Sequence, residues 1–338
     1  MHPSLITRFG GIGDIVLLTP TLKALHERDG VAPDLITGAK WTIPTLKGCP
    51  HIGNIHILQK RGLPHFINPS SIQLKRSLKS QTFHTVYNLH PEQRTARHLG
   101  FLNLSPLHDI SHDGIEHEAS RRLRETGLVA QSCAEDLEPW LFSSQDAIDA
   151  LVAKLPMLQR PFVLVQPGNK KTMKRGSQHS ASNTKCWPNT RWQSVIKALL
   201  ENYLDLEVVL TGSPSEFEYL NEITKGIESD RLHNLSNDLN IIELKAASCL
   251  AAGMITVDTG PAHIAAALGC PMIELFGPVS QISHAPLTLG QPTAFISKFH
   301  PDEGINFPQI GLISASDVIG KFDSVFDFSR ELPYSRLR

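Results

Sequence analysis

A chain of 338 residues is long enough for two domains, and 41% hydrophobic against 19% charged residues suits a soluble protein with a sizeable core. Its net charge of −1 excludes a whole-protein attraction to nucleic acid, so anion binding must come from local clusters. Five scattered cysteines (Cys49, Cys133, Cys186, Cys249, Cys270) with no C-x-x-C pair argue against a disulfide framework or a structural zinc site.

No apolar run approaches the ~18 residues of a membrane span. The N-terminus enters a strand pattern directly, so no signal peptide is expected. Leu5 to Phe9 reads as that strand, followed by Gly10-Gly11-Ile12-Gly13-Asp14. Ile15 to Leu25 is helix-like but interrupted by Pro20. Either the helix kinks there, or a second segment starts with Thr19 as cap and Pro20 at its first position. Gly11 and Gly13 match the start of G-x-G-x-x-G, but the third position is Val16, and Asp14 has the wrong sign for a pyrophosphate. The loop is better read as letting a substrate approach Asp14.

Further strands are expected at Leu35 to Thr37, Ile55 to Leu58 and Thr85 to Leu89, and helices at 74–80, 93–99 and 116–126. Alternation of this kind gives an α/β protein with a parallel sheet and helices on both faces. Residues 105–115 and 127–145 read as loops, and the domain boundary falls near 145–160. Between Asp149 and Glu201 there is no acidic residue, while Lys170, Lys171, Lys174, Arg175 and Lys185 stand in or beside a long polar loop after the strand Phe162 to Val165. A nearby anion is expected. Glu207 to Leu210 is a strand, Ser215 caps a helix carrying Glu216, and Ile241 to Ala247 is a helix capped by Asn240 or Asp238.

Ile255 to Val279 reads as strand, tight turn, helix, strand. Thr259, Gly260, Ala262 and His263 present open N–H groups at a helix start where an anion is favoured, phosphate above all. Thr293 to Ile296 is a last strand, and 317–328 fits a closing amphipathic helix.

Four blocks together resemble glycosyltransferase family 9, the lipopolysaccharide heptosyltransferase family. They are Arg8 to Pro20 (RFGGIGDIVLLTP), Gln166-Pro167-Gly168 with Lys185-Cys186-Trp187-Pro188, Val208 to Glu216 (VVLTGSPSE), and Asp258 to Pro278. The resemblance implies two Rossmann-like domains facing across a cleft, the GT-B fold: an acceptor domain over 1–150 and a nucleotide-sugar domain over 151–338, the last helix returning to the first domain. It departs from the family in the long basic loop between Gly168 and Lys185.

The implied activity is inverting, metal-independent transfer of a sugar, with heptose from ADP-heptose as the expected donor, onto a lipopolysaccharide-core acceptor at the cytoplasmic face of the inner membrane. No cofactor is implied, and no D-x-D metal signature occurs. Asp14 is the expected general base, with helix capping as its alternative role. Lys185 is the expected cation on the leaving diphosphate. Donor contacts are expected from Gly13, Gln166, Gly168, Thr211, Glu216, Asp258, Thr259, Gly260 and His263. For Glu216 the readings are ribose binding or a first-turn carboxylate. Trp187 reads as packing. Acceptor contacts are expected from Lys60, Arg61, Arg94 and Arg97, with Arg121, Arg122 and Arg124 as further candidates. The alternatives are a sugar-nucleotide epimerase of the same shape and a non-catalytic sugar-nucleotide-binding module.

Overall fold

The computed structural model describes residues 2–90, 93–103, 105, 116–128, 137–173, 183–299 and 308–328, without the side chains of 93 and 94. Packing divides the chain into two units, Met1–Leu141 and Phe142–Arg338, each with its own sheet. Cys133, Lys174 and Arg175, and most of the expected loop at 105–115, lie outside the described residues.

The first unit runs β1 (Leu5–Thr7), α1 (Ile12–Val16), α2 (Thr19–Asp29), β2 (Asp34–Thr37), α3 (Thr42–Leu46), β3 (Ile55–Ile57), α4 (Pro69–Leu78), β4 (Val86–Asn88), α5 (Gln93–Leu99) and α6 (Glu118–Glu125). Its strands are all parallel, in the order β3-β2-β1-β4. Leu5, Ile36 and Val86 of the sheet pack with Phe9, Leu58, Leu74, Leu78 and Leu99. Pro20 decides the break after α1. It stands in the first turn of α2, where its missing N–H needs no partner, with Leu18 rather than Thr19 as N-cap. Thr19 instead closes the junction by donating to the Val16 carbonyl at 2.7 Å. α2 ends at Gly30, whose φ of +67° suits a left-handed C-cap.

The second unit runs α7 (Gln145–Lys154), β5 (Phe162–Gln166), α8 (Asn189–Asn202), β6 (Glu207–Leu210), α9 (Phe217–Thr224), β7 (Leu232–Asn234), α10 (Ile241–Leu250), β8 (Gly253–Val257), α11 (Gly260–Ala267), β9 (Met272–Leu275), α12 (Gln281–His284), β10 (Thr293–Ile296), α13 (Ala315–Ile319) and α14 (Phe322–Val325). The sheet is parallel throughout, in the order β10-β9-β8-β5-β6-β7. Both faces are covered, which is why its central strands read as continuous apolar runs. In β5, Val163 and Val165 enter one core with Trp187, Trp192 and Leu199, while Phe162 and Leu164 enter the other with Leu250 and Met272.

Two expectations shift. The division precedes α7 rather than falling at 145–160. Ile148 and Leu151 of α7 pack with Ala246, Ala247 and Leu250 of α10, and Lys154 pairs with Glu243 at 2.8 Å. The single closing helix is instead two short ones separated around Gly320. Val318, Phe322, Val325 and Phe326 join the core of the second unit itself; residues 329–338 lie outside the described residues.

Candidate active site

In a parallel sheet the carboxyl ends of the strands share one edge, and ligands bind there. In the first unit the chain leaves β1 through Phe9 and Gly10 and turns into α1 at Gly11, an extended N-cap. Asp14 lies at the third position of α1 and reaches back, its Oδ2 accepting from the Gly11 N–H at 2.6 Å. Its Oδ1 pairs with the Arg8 guanidinium. A Cβ at Gly10 would collide with the Asp14 carboxylate, so the glycine is what lets this carboxylate lie over the turn. The capping role is therefore real. It does not use up the group: the side chain stays 37% exposed, and each oxygen keeps a second lone pair. Gly13 lies inside α1, its carbonyl taken by the Leu17 N–H at 2.8 Å.

Sequence reasoning missed what stands behind Asp14. Arg8 is buried beside Glu118 (3.8 Å), and Glu118 in turn pairs with Arg121 (2.5 Å) and Arg122 (2.7 Å). Burial first, and the field of Arg122 second, pull the Arg8 guanidinium below its ordinary value; Asp14 and Glu118 act in the opposite direction. Arg122 also pairs with Glu125 at 2.6 Å, and Arg124 with Glu116 at 2.5 Å. These arginines of α6 are thus held in ion pairs. For Arg121 and Arg122 the signal in sequence was their spacing from Glu118 and Glu125, three and four residues apart on one helix.

Beside the glycine turn lies a cavity of ≈ 630 Å³ lined by Phe9, Gly10, Ala39, Gln59, Lys60 and Arg61, among others. Arg61 lies over the Phe9 ring at 4.0 Å and donates to the Thr95 hydroxyl at 2.8 Å. Lys60 is exposed with a positive φ of 51°. Two of the four expected acceptor residues therefore meet at the cavity. Arg97 is exposed on α5, and the side chain of Arg94 lies outside the described residues.

In the second unit the strand order reverses between β5 and β8, and the remaining candidates gather at the carboxyl ends of those strands. Thr259 is the extended N-cap of α11 and its hydroxyl makes no capping bond. Pro261 is the second helical residue, and Gly260 precedes it with an N–H that no turn of helix satisfies. Thr259 and Gly260 are partly exposed, while Ala262 to Ala267 and His263 are buried. Lys185 pairs with Asp258. The chain at Thr184 and Lys185 passes against Gly277, where a Cβ would sit 2.7 Å from the Thr184 carbonyl oxygen, so that glycine admits the lysine to the turn. Trp187 anchors the segment from below, donating from its indole to the Ile313 carbonyl at 2.9 Å and packing edge-on against Trp192.

Three donor candidates prove to be internal. Thr211 donates to the Gln166 side chain at 2.8 Å, and Gln166 donates to the Gly168 carbonyl at 3.3 Å, all buried or nearly so. Glu216 is buried. It completes a capping box with Ser213, accepting from its N–H at 2.8 Å, and it accepts from the Thr172 hydroxyl. This corrects the cap, which is Ser213 and not Ser215, and shows Glu216 as the first-turn carboxylate of its helix. Gly168 is needed because a Cβ there would collide with the Glu216 carboxylate.

A second residue that sequence reasoning missed is Glu274 of β9. It is fully buried and sits in register opposite Thr256. Burial, and after it the charge of Asp258, pushes its carboxyl well above the usual carboxylate range, with Lys185 opposing.

The first unit thus carries a partly exposed carboxylate, and the second a lysine with an open helix start. Residues 130–297 match the family model of glycosyltransferase family 9 (heptosyltransferase). The chain is 26% identical over 347 residues to lipopolysaccharide heptosyltransferase 3 of Escherichia coli, covering 94% of this chain and 97% of that one. Its fold is similar to the crystal structure of a family 9 glycosyl transferase from Veillonella parvula, with a TM-score of 0.75 at 18% identity over 94% and 95% of the two chains. It is also similar to the E. coli ADP-heptose lps heptosyltransferase II, with a TM-score of 0.73 at 18% identity over 95% and 97%. The fold is GT-B, and residues 130–297 carry the domain of glycosyltransferase family 9, the heptosyltransferase family.

Proposed function

We propose that this enzyme transfers a heptose from ADP-heptose to a lipopolysaccharide-core acceptor with inversion at the anomeric carbon, Asp14 acting as general base and no metal taking part. The names of its relatives support the sugar, the donor and the acceptor class. In the reaction the acceptor oxygen attacks the anomeric carbon while the bond from that carbon to the phosphate oxygen breaks. The electron pair leaves with the nucleoside diphosphate, and the acceptor proton passes to Asp14. The observation that carries the reading is Asp14 itself: a carboxylate oriented by Arg8 and the Gly11 N–H, left accessible by Gly10, beside a cavity with Lys60 and Arg61 on its wall. Charge grows on the diphosphate as the bond breaks, and fixed donors and cations take it up. Lys185, the Thr259 hydroxyl and the Gly260 N–H are the groups suited to that work. The test is a transfer assay with β-configured ADP-heptose and a core-oligosaccharide acceptor. Inversion predicts an α-linked product by nuclear magnetic resonance; a β-linked product contradicts the mechanism.

We further propose that the first unit meets an anionic membrane surface. Between Asp34 and Glu92 there is no acidic residue, while Lys40, Lys47, Lys60, Arg61, Lys75, Arg76 and Lys79 fall inside. Ile43, Leu63, Phe66 and Ile67 are exposed in the same stretch. The 59–68 loop is closed at its neck by Asn68, which donates to the Gln59 and Lys60 carbonyls at 2.9 and 3.1 Å and caps α4. Exposed apolar side chains on an ordered, basic loop suit an interface of acidic lipids. Vesicles containing phosphatidylglycerol should sediment the protein. The combined Leu63→Ser, Phe66→Ser, Ile67→Ser variant should stay in the supernatant; equal sedimentation of both overturns the assignment of the loop.

A further inference from the structure

Glu274 stands apart from every other group of the donor site. It is a carboxyl on a central strand of a sheet covered on both faces, with no exposed surface. Neither Oε1 nor Oε2 has a hydrogen-bond partner among the described residues. Its neighbours in register do not serve it: the Thr256 hydroxyl donates to the Val257 and Gln166 carbonyls, and Gln166 is taken by Thr211. Asp258 and Lys185 are the charged groups whose fields act on it, and those two are engaged with each other. An unsatisfied buried polar group weakens a fold, and nothing in the packing of β9 calls for a carboxyl where Met272 and Leu275 supply apolar contacts. A second state in which the group is satisfied gives it a purpose.

That state follows from the reading of the donor site above, on which this inference rests. A donor diphosphate draws Lys185 away from Asp258. Asp258 is then left buried, anionic and close to an anionic ligand, which opposes donor binding. Asp258 follows β8 two residues beyond Thr256, the residue registered opposite Glu274, and alternation along a strand returns it to the same face. We propose that Glu274 is a positioning residue of the donor site. It waits without a partner while Lys185 holds Asp258, and donates a hydrogen bond to Asp258 once Lys185 turns to the diphosphate. No bond is made or broken other than these hydrogen bonds. Burial favours the protonated carboxyl that this donation needs, raising it well above the usual carboxylate range. The exchange lets the lysine serve the diphosphate without leaving an uncompensated carboxylate behind.

The experiment is calorimetric titration of ADP into wild type, Glu274→Gln, Glu274→Leu and Lys185→Ala, with the melting temperature of each ligand-free protein measured alongside. The amide of Glu274→Gln still donates, so its affinity for ADP stays within about twofold of wild type. Glu274→Leu cannot donate, and its affinity falls about tenfold or more, the scale of one hydrogen bond to a charged group. Its ligand-free melting temperature stays level or rises, because an unsatisfied group has been removed. Equal ADP affinity for Glu274→Leu and wild type, with Lys185→Ala weakened, overturns the inference and leaves the donor site standing. So do equal losses in the Gln and Leu variants, or a lower ligand-free melting temperature for Glu274→Leu, which marks a structural role. Absence of ADP binding by the wild type overturns the donor site and the inference together.

Discussion

Lys185 is placed to carry two electrostatic duties in the second unit. Its ammonium neutralises Asp258, which is 8% exposed, and it stands beside the open start of α11. Removing it has two consequences of different origin. A donor diphosphate loses a charge-assisted contact, and Lys185→Ala should weaken nucleotide-sugar affinity about ten- to hundred-fold. Asp258 also loses its counter-charge, so the ligand-free variant should melt lower than wild type. Calorimetry and thermal unfolding read the two effects separately; unchanged affinity would remove Lys185 from the donor site. Where the candidate residues stand was partly legible in the sequence. Asp14, Lys185 and the 258–263 turn carry recognisable local patterns, and each lies at a carboxyl edge of a sheet. Arg8, Glu118 and Glu274 were not legible, because their roles come from contacts between positions far apart in the chain. Glu216 stayed open between two readings for a related reason. A first-turn glutamate looks the same in sequence whether it faces solvent or closes a capping box under Gly168.

Elements with strong apolar periodicity were read well, and weak ones were not. β5, β6, β8 and β9 are buried on both faces and announce themselves as runs of Val, Ile, Leu and Met. β7 was missed because it is a three-residue edge strand, Leu-His-Asn, only half buried. α7 was missed because only Ile148 and Leu151 of its ten residues are buried, too thin a stripe to stand out. α10 was read with its first residue and with its cap as Asn240 or Asp238; the cap is Asn240, which accepts from Ile242 and Glu243 while Glu243 accepts from the Asn240 N–H at 2.8 Å, and the helix runs on past Ala247 to Leu250. The closing segment shows how glycine fixes packing. A Cβ at Gly253, the first residue of β8, would collide with the Phe326 ring after α14. Gly253→Ala should therefore displace a buried aromatic and cost about 1–3 kcal/mol of stability. Chemical denaturation measures this; a change within ±0.5 kcal/mol, the ordinary range for an innocuous surface substitution, would show that the segment does not pack there.

At the scale of the whole chain, two units with separate parallel sheets divide the chemistry between them. The first presents Asp14 beside a cavity with Lys60 and Arg61, in a stretch free of acidic residues; the second holds Lys185 and the start of α11 at the reversal of its strand order. The division makes the account separable by mutation. A defect in the first unit should spare donor binding, and one at Lys185 should not. The most direct measurement is turnover of Asp14→Asn together with its calorimetric affinity for the nucleotide-sugar donor. Loss of the base predicts turnover lower by about 10²–10⁴ with donor affinity unchanged. Wild-type turnover by Asp14→Asn would contradict the assignment of Asp14 as the base.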